Sequence, residues 1–219
     1  MRFLIEADNI KEQVQKYKSI LSNHKVLYFE PCSFDNAIIA HFDDFFKADI
    51  FFYSREMLIP NPYLTDMKII EDKNGFLKNL KNNSQELDFL MSSETFNFYV
   101  DKFIATSQEC FRRIHREEFI YANELLLNMK NTIAVFDDLI HNNPQLGLYK
   151  VEKRFSKEIV DFMNSHISPE YGNLGLLTKA NSIFLNQLVI LSSQGKNNRN
   201  VESDKKLLIN WFQEFTKPL

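Results

Sequence analysis

Residues 41–54 read HFDDFFKADIFFYS. Apolar runs on either side of a polar pair are the signature of a β-hairpin, so Asn36–Phe42 and Phe46–Ser54 are expected as strands joined at Asp43-Asp44. Side chains alternate across a strand. Lys47, Asp49, Phe51 and Tyr53 therefore share one face, and Ala48, Ile50 and Phe52 the other. Burying a carboxylate among phenylalanines is costly unless something binds it. Two readings of Asp49 follow. In the plain one it pairs with Lys47 or meets solvent on an uncovered sheet face. In the other it is a ligand.

Upstream, RFLIEA at 2–7 reads as a strand. Asn9 offers an N-cap with Glu12 at capping-box spacing. Ile10, Val14, Tyr17 and Leu21 recur at helical intervals, which predicts a helix over 10–23. A β-rich run from Lys25 to Pro31 completes the order β-α-β-β-β. Downstream, Pro60 and Pro62 mark a loop, MKIIEDKNG (67–75) reads as a short strand closed by Asn74-Gly75, and KNLKNNSQ (78–85) reads as a linker.

Beyond it the pattern is helical. One apolar stripe runs from Phe96 to Ile114 and another, starting near Arg116, from Phe119 to Ile140, and HNNPQLG (141–147) breaks the chain. Val151, Phe155, Ile159 and Met163 then repeat every four residues, and Leu176–Leu191 reads as the central helix of a bundle. SSQGKNNRN (192–200) is an exposed loop, and Ser203 is expected to cap a last helix with Leu207, Leu208, Trp211, Phe212 and Phe215. The expected fold is α+β: a small mixed β-sheet over residues 1–83, then an up-and-down bundle of about five α-helices over 84–219.

Composition narrows the function. Only 5 of the 219 residues are glycine, which favours long helices over tight turns. A net charge of −3 argues against a general nucleic-acid surface. Cys32 and Cys110 are far apart and read as two reduced thiols of a cytoplasmic protein. No run approaches 18 apolar residues, and MRFLIEADN does not have the character of a signal peptide. The chain contains no GxxxxGK[ST], GxGxxG or GxSxG, and its five histidines have no metal-ligand spacing. Arg112–Arg116 reads as a solvated helix end or, more sharply, as a phosphate-facing patch.

The series RFLIEADN, an amphipathic helix, KVLYFEP, AIIAHF and FKADIFFYSREMLIPNP resembles the nucleotidyltransferase superfamily, the antibiotic-modifying (aminoglycoside) transferases in particular. There the second strand of such a hairpin carries a carboxylate in a K-x-D-hydrophobic-hydrophobic setting, a Pro-containing loop follows, and a helical bundle comes next. HREEFIYANELLLNMK at 115–130 is similar to the second bundle helix. The resemblance covers most of the chain and is more specific in order than in any one motif.

It implies transfer of a nucleoside monophosphate from ATP or another NTP to a hydroxyl of a small acceptor. Two Mg2+ ions, held by three carboxylates, orient the triphosphate. Asp49 matches the third carboxylate and is thus the implied metal ligand and catalytic residue. Asp101, in the middle of the first bundle helix, is the implied general base, with a solvent-facing acid as its plain alternative. Lys150 and Lys153 are implied contacts for nucleotide phosphates. Glu117 and Glu118 are expected to favour a helix N-terminus.

The chain also departs from the family. The Gly-Ser turn and the paired D-x-D carboxylates belong just before Met1, and nothing else in the chain supplies them. The chain is expected to be inactive or impaired, whether as an internal start, a truncation or a natural remnant. A sheet lacking its first strand–helix unit would keep a raw edge, so a non-catalytic homodimer is the competing expectation. A ribonuclease of the toxin type needs Arg and His four to six residues apart; Arg113 and His115 are too close, and Arg154 and His166 too far.

Overall fold

The computed structural model describes residues 2–170, 173–197 and 199–210. It divides into two compact units, residues 1–87 and 88–219.

The first unit is built on a four-stranded mixed sheet: β1 (Arg2–Glu6), β2 (Val26–Glu30), β3 (Ala37–Phe42) and β4 (Lys47–Tyr53), in the order β1-β4-β3-β2. β4 is central, parallel to β1 and antiparallel to β3. Helix α1 (Ile10–Leu21) connects β1 to β2 and packs on β3 and β4. It starts where the capping box places it: Glu12 N donates to Asn9 Oδ1 at 3.4 Å, and Asn9 Nδ2 donates to Glu12 Oε2 at 3.0 Å. Val14 is buried, with Tyr17 and Leu21 packed alongside, against Ile38, Ala40, Ala48, Ile50 and Phe52. The Tyr17 and Phe52 rings meet edge to face at 5.2 Å. Only this sheet face is covered by α1, so β4 alternates buried and partly exposed residues along its whole length.

The hairpin loop is wider than the two aspartates. Phe46 lies in the loop, where its N–H donates to Asp44 Oδ1 at 3.1 Å, and Phe42 N donates to Phe46 O at 2.9 Å. Phe45 sits at φ 62°, fully exposed. A left-handed phenylalanine is sterically costly and here recovers nothing by burial.

Two expectations fail in residues 67–85. No strand forms at 67–75, and 76–85 is a helix, α2 (Phe76–Gln85), rather than a linker. Gly75 supplies the φ of +74° that starts it. The segment looks polar because only Leu80 and Ser84, one turn apart, are buried. Ser84 is the fastening point. Its hydroxyl accepts from Asn61 N at 3.0 Å, and its carbonyl accepts from Thr65 Oγ1 at 3.4 Å, so α2 holds the Pro60–Pro62 loop.

The second unit packs α3 (Ser93–His115), α4 (Phe119–Ile140) and α7 (Asn173–Ser193) around one apolar core. Phe103 and Phe184 stack at 3.8 Å between α3 and α7, with Phe96, Ile133 and Phe136 buried beside them. α7 is long and apolar enough to cross a membrane by length and composition, the one such helix among the described residues. Here its Leu177, Ala180, Phe184, Leu188 and Leu191 are buried in the core.

The repeat from Val151 to Met163 does not make one helix. α5 (Val151–Arg154) ends at an extended Phe155, and Ser156 caps α6 (Lys157–Asn164) by accepting from Ile159 N at 3.4 Å. The break follows from Arg154, which is drawn to the fully buried Asp138 and to the carbonyls of Gly147 and Tyr149. The other Asp138 oxygen accepts from Leu146 N at 3.0 Å, so the 141–150 loop wraps around one buried ion pair. At the end of the described chain, Asn200 rather than Ser203 caps α8 (Val201–Lys205), and a π-turn follows at Lys206–Asn210. Trp211, Phe212 and Phe215 lie outside the described residues.

The hairpin tip yields a stability prediction. Asparagine tolerates the left-handed region far better than phenylalanine. Phe45→Asn is therefore expected to raise unfolding stability by roughly 0.5–1.5 kcal/mol, read as a higher urea midpoint at unchanged m-value.

Candidate functional site

The open sheet face is assembled from alternate residues of all four strands. The register sets Asp49 of β4 between Arg2 of β1 and Ile39 of β3, with Glu30 of β2 beyond Ile39. One step along, Lys47, His41 and Tyr28 form the adjacent row. Asp49 is thus at the centre of the sheet, and its side chain is 24% exposed.

Lys47 is the electrostatic hub. Its ammonium lies 3.5 Å from Asp49 Oδ1 and 3.4 Å from Glu30 Oε2. Desolvation works against that charge, but the two carboxylates outweigh it and hold the Lys47 ammonium above its usual range. His41 Nε2 is 2.8 Å from the same Glu30 oxygen, and the Tyr28 ring stacks on the imidazole at 4.4 Å. The His41 hydrogen bond, helped by Lys47, keeps Glu30 below the ordinary carboxylate range against a smaller desolvation effect.

One oxygen in this cluster is unsatisfied. Asp49 Oδ1 is buried and accepts no hydrogen bond. At 3.5 Å the Lys47 ammonium offsets its charge from the long limit of a hydrogen bond. The plain reading of Asp49 is therefore realised in part: it pairs with Lys47 on an uncovered face, yet stays short of a partner.

A two-metal site does not fit the residues present. Among the described residues no three His, Cys, Asp or Glu side chains come together to hold a metal ion. Of the two carboxylates here, Glu30 is committed to His41 and Lys47, and Asp49 shares the same ammonium. Hard cations such as Mg2+ need several oxygens in a near-octahedral shell, which two carboxylates already sharing one ammonium do not supply.

The other expected site residues lie in the second unit. Asp101 is on α3, exposed, with Oδ1 accepting from Arg199 Nη2 at 2.8 Å. The same guanidinium holds the buried Asp204 at 2.8 Å, so Asp101 is one end of a tie between α3 and α8. Lys150 caps α5 from a left-handed backbone (φ 53°) and lies 4.8 Å over the Tyr149 ring. Lys153 is exposed on that single turn. Two members of the Arg112–Arg116 run are paired at the end of α3. Arg112 meets Glu109 at 2.7 Å, and Arg113 meets Glu109 and Glu118, both at 2.5 Å. Glu118 is the N-cap position of α4, but its carboxylate turns to Arg113 and makes no cap bond.

Sequence reading overlooked Glu30 and His41, which become site residues only through the β2–β3–β4 register. It also overlooked Lys130, which is 4% exposed. The available signal was its spacing: Lys130 stands one turn after Leu126 within an apolar stripe. Its ammonium donates to Met163 O at 2.9 Å and to Ser165 O, closing the C-terminal end of α6. Burial pushes the group from its ordinary 10.5 down to about 8.

Because the folded value is depressed, the unfolded chain binds more protons between pH 8 and 10.5, and stability rises across that window. The stability difference between the native chain and Lys130→Met should shift in favour of the native chain by about 3 kcal/mol from pH 7.5 to 10.5, measured by urea unfolding.

No protein-family model matches this chain, and no curated protein matches it either.

Proposed function

We propose that this chain is a nucleotidyltransferase-like protein of the cytoplasm. Its reaction class is metal-dependent transfer of a nucleoside monophosphate from ATP or another NTP to a small hydroxylated acceptor, and that reaction is impaired in the chain as given. The observation that carries the reading is Asp49: a carboxylate central on an open mixed sheet, on the second hairpin strand, with a buried oxygen that accepts no hydrogen bond. What supports the impairment is Lys47, whose ammonium serves both Asp49 and Glu30 where a metal would need further carboxylates.

The test is pyrophosphate release from ATP and Mg2+ with a panel of small polyhydroxylated acceptors. No release is expected from this chain. A version lengthened before Met1 with a G-S turn and a D-x-D strand should gain activity and lose it by about a hundredfold or more on Asp49→Asn. A lengthened chain that stays inactive, or activity indifferent to Asp49, overturns the reading.

A non-catalytic assembly protein is the second reading, favoured by one observation. β2 is an outer strand of the sheet, and Leu27 and Tyr28 on it are 67% and 52% exposed. An outer strand with exposed apolar side chains offers its unpaired backbone groups to a second copy. Sedimentation should then give a dimer that Leu27→Lys converts to a monomer; a native monomer removes this reading.

A further inference from the structure

The opposite face of the same sheet carries a cleft that the functional reading leaves unused. It is a half-open hollow of about 550 Å³ between α1 and the β2–β3 end of the sheet. That is within the usual size range for small-molecule sites, roughly 300–1,000 Å³. The buried Val14 and Ile38 close its floor, the partly exposed Phe29 supplies apolar surface, and the exposed Phe34 lines it from the loop after β2.

Its charge is one-sided. Lys11 and Lys18 both line the cleft from one stripe of α1, about 10 Å apart along the helix axis at 1.5 Å per residue. Neither forms an ion pair with a described residue, whereas Lys25 and Lys47 in the same unit do. Two carboxylates line the cleft. That of Glu30 is turned to His41 and Lys47 on the open face, which leaves Asp35 alone against two ammonium groups. A lining about half apolar, with two cations outside any ion pair to a described residue, suits a ligand with an apolar body and an acid group.

We propose that this cleft binds an amphipathic organic anion, its apolar body lying between α1 and Phe29 and its acid group held by Lys11 or Lys18. The site is independent of the nucleotidyltransferase reading and stands or falls separately from it.

Cys32 makes the proposal measurable, because it lines the cleft and is partly exposed. The chain's other cysteine, Cys110, is completely buried, and burial pushes its thiol up to about 12. A neutral maleimide therefore reports on Cys32 alone. The probe is the anilinonaphthalene sulfonate dye ANS, titrated by fluorescence into the full chain. Saturable binding at one site is expected, weakening with added salt. Saturating ANS should slow maleimide labelling of Cys32. The Lys11→Gln/Lys18→Gln double variant should raise Kd by about tenfold, while Lys102→Gln/Lys157→Gln, exposed positions on the second unit, should leave it unchanged. Circular dichroism verifies that both variants are folded. Non-saturating binding, an unchanged Kd in the Lys11/Lys18 variant, or unprotected Cys32 overturns the proposal.

Discussion

The period-two alternation of β4 is the constraint on which the first unit depends. Ala48, Ile50 and Phe52 must lie under α1, because they and their β3 neighbours Ile38 and Ala40 are the apolar surface that the helix covers. That requirement leaves Lys47, Asp49, Phe51 and Tyr53 no choice of face. A slip of one residue would bury the charges and expose the core, so the register is held by the hydrophobic effect and the polar cluster is its consequence. Asp49 is central because β4 is central, flanked by β1 on one side and β3 on the other.

Once Asp49 is fixed, electrostatics organises its surroundings. A single ammonium, Lys47, stands between two carboxylates from different strands, and His41 takes up the rest of Glu30. The arrangement resembles a cation site in which the cation is covalently part of the chain. A lysine brings one charge and three donors, which offsets half the charge of two carboxylates and does not saturate their four oxygens. The buried oxygen of Asp49 is the remainder.

The second unit handles its buried charges differently. Asp138 with Arg154, Asp204 with Arg199, and Lys130 with the end of α6 each fasten a loop or a short helix to the long helices. In each case the charged group is matched by a partner of opposite sign or by backbone carbonyls, as removal from water demands. Arg199 also reaches the exposed Asp101, expected as a base, and so ties α3 to α8. The apolar core supplies the attraction between α3, α4 and α7, and the polar ties fix where the short segments between them lie.

Sequence alone determined the elements whose signals are local. The hairpin strands and their faces, the capping box at Asn9, and the long helices α3, α4 and α7 were all legible, because alternation, capping and helical stripes are written in neighbouring residues. α2 was not legible, since two buried side chains make too weak a stripe, and the break between α5 and α6 was not, since Arg154 ends the helix by reaching a carboxylate 16 positions away. The open-face cluster and the cleft beneath α1 lay beyond sequence for the same reason. Glu30, His41, Lys47 and Asp49 become neighbours only when three strands pair, and Lys11 and Phe34 line one cleft only when α1 folds back over the sheet. Local chemistry decides what a segment is; which distant groups share an electrostatic field is decided by strand register and packing.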